Sequence, residues 1–311
     1  QSRGLGDVYK RQNISGSEGL VAAGNIFMGM TESPVLIKNY LPTMNRSEIF
    51  LVMVSGMGTI AGSVMGTYIG MLGGTDPASK VLFATHLLSA SVMAVPGSIV
   101  LAKMLCPQTE EATDHVAVSG KEKENSNILD AISSGTVTGV KLMTNIAAML
   151  LVFISLVALA NYVTEDVIGR YTGLNDWIVQ ISDGKAKGLT FQFILGVITA
   201  PFMWLIGVPG QDIMLVGSLL GQKTILNEFV AYFQLQQWKD AGLFMYEKSI
   251  LMSTYILCGF ANISSIGILL GGLGVLAPEK RGLISRIGVP AMIGGALVSV
   301  LSATIIGMIL G

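Results

Sequence analysis

Of 311 residues, 51% are apolar and 13% charged, with 38 glycines and a formal net charge of −1; the mean hydropathy is +0.63. Soluble domains carry about 25% charged residues, so this composition excludes an ordinary soluble enzyme and describes a membrane protein. The near-neutral charge also excludes a nucleic-acid binder, whose phosphate contacts need a basic surface.

Residues 1–12 are polar and basic (Arg3, Lys10, Arg11) and lack the apolar stretch of a signal peptide. They are set aside as foreign to the fold, and the native chain is expected to carry further helices before this point. Residues 13–106 then form a first unit. Segments 20–29 and 34–41 are apolar, but each is too short to cross about 30 Å of hydrocarbon, and the polar pair Thr31-Glu32 separates them. Non-helical backbone at membrane depth is tolerated only where protein or a water-filled cavity satisfies it. The pair therefore reads as a re-entrant helical hairpin, followed by membrane spans over 49–75 and 81–102.

Residues 107–187 hold a charged loop (Glu110, Glu111, Asp114, Lys121, Glu122, Lys123, Glu124), an amphipathic approach, a span over 142–164, and a second charged loop with Arg170, Asp176 and Asp183. Neither loop contains a ligand-like cluster, so both read as solvated faces. Residues 188–311 form the last unit. Segments 202–220 and 225–233, separated by Gly221-Gln222-Lys223-Thr224, predict a second re-entrant hairpin with Asn227-Glu228 just after its turn. Spans over 249–278 and 287–311 follow. Cys106 and Cys258 both fall in apolar segments and suit small buried residues better than a disulfide or a metal pair.

The first and last units match in order and character. Gly58-Thr59-Ile60-Ala61-Gly62-Ser63 occupies the place of Phe260-Ala261-Asn262-Ile263-Ser264-Ser265, marking a helix broken near its middle in each. One span, 142–164, lies between the units and a hairpin returns to its own side, so the second unit is inverted relative to the first. Inverted repeats with discontinuous helices mark secondary transporters. The fold class expected is an all-α polytopic membrane protein of inverted repeats, each with a re-entrant hairpin and a broken transmembrane helix. Lys38, Arg46, Lys103, Lys121, Lys123, Lys141, Lys280, Arg281 and Arg286 share one side, which is expected to be cytoplasmic against the poorer side with Lys80, Arg170, Lys185, Lys187, Lys239 and Lys248.

Ionisable groups within membrane segments are costly and by default mark function. Glu32 and Glu228, one per hairpin, are the clearest; a structural pairing with Lys38 or Lys223 is the alternative. Asn262, Ser264 and Ser265 interrupt the most apolar span, and the amide of Asn262 can donate and accept together, which suits a sugar hydroxyl or an unwound turn. Asn25 and Thr59 offer neutral oxygens beside Gly-rich backbone; a hard cation or simple capping of half-helices explains them equally well. No enzyme constellation competes. His86 and His115 have no paired ligand at metal spacing, and Leu269-Leu270-Gly271-Gly272-Leu273-Gly274 lacks a phosphate-binding lysine.

Asn25-Ile26-Phe27, Gly29-Met30-Thr31-Glu32-Ser33-Pro34, Thr59-Ile60-Ala61-Gly62, Asn227-Glu228-Phe229-Val230-Ala231-Tyr232 and Gly259-Phe260-Ala261-Asn262-Ile263-Ser264-Ser265-Ile266-Gly267 together resemble the concentrative nucleoside transporter family. The similarity runs from about residue 15 to the end. It implies a homotrimeric, cation-coupled nucleoside importer of the inner (plasma) membrane, without cofactor or nucleic-acid partner. It also implies an elevator movement, in which the hairpins and broken spans travel against a scaffold containing 142–164. The family's pattern puts the nucleobase against Met30, Thr31 and Glu32 with Val64 nearby, and the ribose against Glu228, Asn262, Ser265 and Phe260. Its sodium site maps to the side chains of Asn25 and Thr59 and the carbonyls of Met28 and Ile60. One departure is Met30, where the family commonly has Gln; a thioether is a weak acceptor, so base preference is expected to shift. Proton coupling through Glu32 or Glu228, and a non-transporting receptor or subunit on the same scaffold, are the alternatives.

Overall fold

The computed structural model describes residues 14–110, 127–130, 132–133, 136–137, 140, 144, 151, 155–156, 158–182 and 186–311. The loop residues 111–126 with His115, Asp183, and most of the span expected over 142–164 lie outside the described residues. The chain divides into two compact units, one from Gln1–Val116 with Leu195–Gly311 and one from Ala117–Ile194. Both hairpins and both broken helices belong to the first.

Hairpin one begins with α1 (Gly16–Gly24), started by a capping box in which the Ser15 hydroxyl accepts from Glu18 N and Glu18 Oε2 accepts from Ser15 N. Its return limb is not a full helix: only a 3₁₀ segment, Ser33–Ile37, follows the Thr31-Glu32 turn. Pro34 near its start cannot donate to the preceding turn, which favours this short form. The first broken helix is α2 (Arg46–Gly58), capped reciprocally by Asn45 and Glu48, and α3 (Gly62–Gly73), with Thr59 extended between them at φ −124° and ψ 168°. At the loop to α4 (Pro77–Leu105), Asp76 accepts from the Ala78 and Ser79 amides. Hydrogen bonding by Ser79, then by the Ala78 amide, lowers the Asp76 carboxyl from its ordinary range.

In the second unit, a π-helical turn (Tyr162–Gly169) and a short helical turn (Arg170–Thr172) lead through Gly173, at φ +74°, into α5 (Leu174–Ile181). Asn175 holds this unit together locally, donating to Glu165 O at 2.9 Å and accepting from Leu189 N at 2.9 Å.

The second half of the chain corrects one expectation. The apolar run 202–220 is not one limb of a hairpin. It is divided between α6 (Phe191–Leu205) and α7 (Ile213–Ile225), with a turn between them. Gly221-Gln222-Lys223-Thr224 is not the hairpin turn either; it is the last part of α7. Gly221 is there for packing, since a Cβ on it would sit 2.6 Å from Leu195 Cβ, while Gln222 and Lys223 are buried. The turn falls at Leu226-Asn227, where the Asn227 side chain caps α8 (Glu228–Asp240) by accepting from Val230 N. Asp212 pins the start of hairpin two, accepting from the amides of Met245 and Tyr246 at 3.0 and 3.1 Å.

The second broken helix is α9 (Glu247–Leu257) and α10 (Ile263–Leu276), and α11 (Arg281–Ile309) closes the chain. Small residues let the broken helices crowd onto α11: a Cβ on Gly295 would stand 2.7 Å from Met57 Cβ, and one on Gly58 would meet Val298. Among the described residues, α2 with α3 (Arg46–Gly73), α4 and the terminal helix (Pro278–Ile309) are long and apolar enough to cross a membrane. Between the ends of α1, α2 and α4, Lys103 Nζ donates to Glu18 Oε1 at 2.7 Å, Ser47 Oγ at 3.1 Å and Gln108 Oε1 at 3.1 Å.

Candidate functional site

Two helix N-termini converge on one carboxylate. Glu228 opens α8 and is 7% exposed; opposite it, Asn262, 2% exposed, opens α10. Asn262 Nδ2 donates to Glu228 Oε2 at 2.9 Å, and its Oδ1 accepts from Ser265 N at 2.9 Å, Ser265 Oγ at 3.0 Å and Ser264 Oγ at 2.6 Å. The positive ends of both half-helices favour negative charge there. On the other side of the carboxylate, the Tyr68 hydroxyl donates to Glu228 Oε1 at 3.3 Å. Tyr68 is stacked on Tyr232 at 4.1 Å between ring centroids, and the Tyr232 hydroxyl donates to Thr254 O at 2.8 Å. Phe260 is half-buried and packs against the core cluster that contains Tyr68 and Tyr232. A carboxylate that accepts and an amide that both donates and accepts can exchange these internal bonds for those of a polyhydroxylated ligand.

A second, neutral cluster lies at the first break. Asn25, fully buried at the end of α1, accepts from Ser33 Oγ at 2.6 Å and donates to Ser55 Oγ at 3.0 Å. It thereby joins both limbs of hairpin one to the last turn of α2. Thr59, buried at the break, donates to Ser55 O at 3.1 Å. Ile60 is buried and Met28 half-buried. The tip of hairpin one is held to α3 where Phe27 O accepts from Gly62 N at 2.9 Å, and the two breaks are joined where Thr59 O accepts from Phe260 N at 3.2 Å. The donor set here is hydroxyl, amide and carbonyl oxygen, suited to a hard monovalent cation; among the described residues no group of three His, Cys, Asp or Glu could hold a metal.

The residues expected against a base sit around the hairpin tip in different environments. Met30 is 6% exposed and lies over α2, so close that a Cβ on Gly56 would stand 2.8 Å from Met30 Cβ. Thr31 and Glu32 are exposed. The Thr31 methyl faces α10 at Gly272, where a Cβ would meet it at 3.2 Å, and Glu32 Oε2 turns back to accept from Gly29 N at 3.2 Å. Val64 is half-buried on the first turn of α3. Neither lysine offered as a structural partner makes a direct ion pair: among the described ion pairs there is none between Glu32 and Lys38 or between Glu228 and Lys223, although Lys223 and Glu228 act on each other through space.

Several residues of these clusters carry no role in the sequence reading. Tyr232 stands one turn after Glu228 on the same face of α8, and Ser55 one turn before Thr59 on α2, so helical spacing could have found both. Tyr68 and Ser33 reach their partners only through tertiary packing.

A family model described as "Na+ dependent nucleoside transporter C-terminus" matches residues 86–307, and one described as "Nucleoside recognition" matches residues 2–75. The chain belongs to the concentrative nucleoside transporter family. It is 39% identical to sodium/nucleoside cotransporter 1 of Rattus norvegicus, over 95% of this chain and 44% of that protein. It is 37% identical to the nucleoside permease NupC of Helicobacter pylori, over 98% of this chain and 68% of the permease. The structure of CNTnw in an inward-facing substrate-bound state superposes with a TM-score of 0.80 at 35% identity, covering 97% of this chain and 66% of the other. The chain thus spans about two thirds of these bacterial relatives and less than half of the mammalian ones. As a concentrative nucleoside transporter it is a transporter and not an enzyme, and an all-helical integral membrane protein.

Proposed function

We propose that this concentrative nucleoside transporter imports nucleosides across the inner (plasma) membrane by symport with sodium. The observation that carries the proposal is the bonded set Glu228, Asn262 and Ser265 at the meeting of two half-helix N-termini, which presents acceptors and donors to ribose hydroxyls, with Phe260 against the sugar. The base lies against the hairpin-one tip, where Thr31 and Glu32 face outward with Val64 near and Met30 packed beneath them. The ion is held by Asn25, Thr59 and the carbonyls of Met28 and Ile60; because Asn25 also bonds Ser33 and Ser55, an ion there orders hairpin one and α2 together. Ordering one element by two ligands makes their binding mutually favourable. The protein works as a homotrimer in which the hairpin-bearing unit moves as an elevator. The named sodium/nucleoside cotransporters among its relatives support this reading.

Proton coupling is the second reading, favoured by one observation: Glu228 is a buried carboxylate whose oxygens bond only to neutral groups, Tyr68 and Asn262, in the described structure. Uptake of radiolabelled uridine into proteoliposomes, with sodium or proton gradients imposed separately, decides between them. Acceleration by an inward sodium gradient is expected; uptake driven by a proton gradient and indifferent to sodium gives the site to the second reading.

A further inference from the structure

The two repeats finish their first half-helices differently. In each, a polar side chain from the end of the hairpin's first limb reaches the last turn of the half-helix before the break. In repeat one that side chain is Asn25, meeting Ser55 of α2, and its surroundings are neutral. In repeat two it is Lys223 of α7. Its Nζ donates to Ile256 O of α9 at 2.7 Å and to Ser299 Oγ of α11 at 3.0 Å. The neighbouring carbonyls of the same helix end are also taken, Thr254 O by the Tyr232 hydroxyl at 2.8 Å and Cys258 O by Ser299 Oγ at 3.1 Å.

Lys223 is wholly buried, and among the described residues no ion pair involves it. Burying an unpaired ammonium is costly, and a nonpolar residue would pack here without that cost. What balances the charge at contact distance is the C-terminal end of α9, which carries partial negative charge on carbonyls left without helical donors; the Glu228 carboxylate, beyond ion-pair distance, adds to it through space. A monovalent cation bound at a broken-helix end would meet the same oxygens. We infer that Lys223 is a tethered cation, holding hairpin two to the end of α9 as an exchangeable ion would hold hairpin one to α2. The comparison with repeat one rests on the sodium reading above; the lysine geometry does not. It follows that the second repeat has no room for an exchangeable cation until the ammonium is removed.

The test uses the full transporter with Lys223→Met, which keeps the stem and removes the charge, and Lys223→Ala, which leaves space for a small amine. Uridine uptake under an inward sodium gradient, and thermal unfolding, are measured with added ethylammonium chloride or with added tetramethylammonium chloride, which has no N–H to donate. Loss of the two bonds that Lys223 makes to α9 and α11 is expected to lower uptake about tenfold or more in both variants. Ethylammonium is expected to restore the uptake of Lys223→Ala at least about threefold and to raise its unfolding temperature, while tetramethylammonium does neither. Lys223→Met is expected to stay impaired in both salts. Uptake by Lys223→Met equal to that of the unsubstituted protein overturns the inference, as does a Lys223→Ala protein whose unfolding temperature ignores ethylammonium. The unfolding measurement is independent of the coupling ion, so a failure of the sodium reading, seen as sodium-indifferent uptake by the unsubstituted protein, is distinguishable.

Discussion

Glu228 and Asn262 hold each other by a hydrogen bond at the proposed ribose site. Replacing Glu228 by Gln removes the charge and turns one of the two oxygens that meet the Tyr68 hydroxyl and Asn262 Nδ2 into a donor, and Asn262→Ala strips the cap of α10 and frees two serines at once. Each change is expected to nearly abolish uridine binding measured by equilibrium titration on purified protein; unchanged affinity in either would remove the ribose from this place. Tyr68→Phe is a gentler probe. It deletes one hydrogen bond to a charged group, for which about 1.5 kcal/mol is a fair magnitude, so uridine affinity should fall about tenfold with the stacked ring retained. Met30 calls for a different readout. Its side chain lies in the core over Gly56, and Met30→Gln puts an amide there with new hydrogen-bonding capacity at the proposed base end. The expected outcome is a changed ratio of apparent affinities for pyrimidine and purine nucleosides in competition uptake, whereas a uniform change for all bases would take Met30 out of base discrimination.

At the scale of elements, the breaks depend on glycine where backbones nearly touch. A Cβ on Gly259 would lie 2.8 Å from Ser299 Oγ and 2.9 Å from Met57 O, and Met57 belongs to the opposite half of the molecule's inverted pair. Gly259→Ala is therefore expected to force the breaks apart at a cost of about 1–3 kcal/mol, read as a lower unfolding temperature and weaker uridine binding together. The breaks themselves were legible: Thr59-Ile60-Ala61 and Gly259 to Asn262 interrupt apolar spans at corresponding places, and Asn262 is a strong helix starter. Hairpin one was legible for the same reason, through Thr31-Glu32. The turn of hairpin two was displaced because Gly221-Gln222-Lys223-Thr224 has the composition of a turn. In the protein those residues are helical because the interior satisfies them: Lys223 bonds α9 and α11, Gln222 bonds Ser218, and Gly221 makes room for Leu195. Local propensity cannot report partners supplied by distant helices, which is also why the boundary between α6 and α7 and the reach of Tyr68 from α3 to Glu228 are not legible in the sequence.

Across the hairpin-bearing unit, hairpin tips meet half-helix ends, with the Glu228–Asn262 cluster at one break and the neutral Asn25–Ser55 cluster at the other. The rest of the unit keeps these in register. Lys103 fastens α1, α2 and α4 through Glu18, Ser47 and Gln108, and Glu18 is fully buried. Lys103→Met leaves that carboxylate without its cation, and losing one partner of a buried pair costs about 3–5 kcal/mol; a large drop in unfolding temperature is expected, with hairpin one loosened first in hydrogen exchange. Because Asn25 ties hairpin one to α2, the proposed ion and nucleoside would act on one element, and coupling between them would be reciprocal. The most direct measurement is therefore uridine affinity of the full transporter in sodium chloride against choline chloride, paired with sodium affinity with and without uridine. A tightening by about fivefold or more, equal in both directions, is predicted. Uridine affinity that is the same in both salts would contradict sodium-coupled binding at this site.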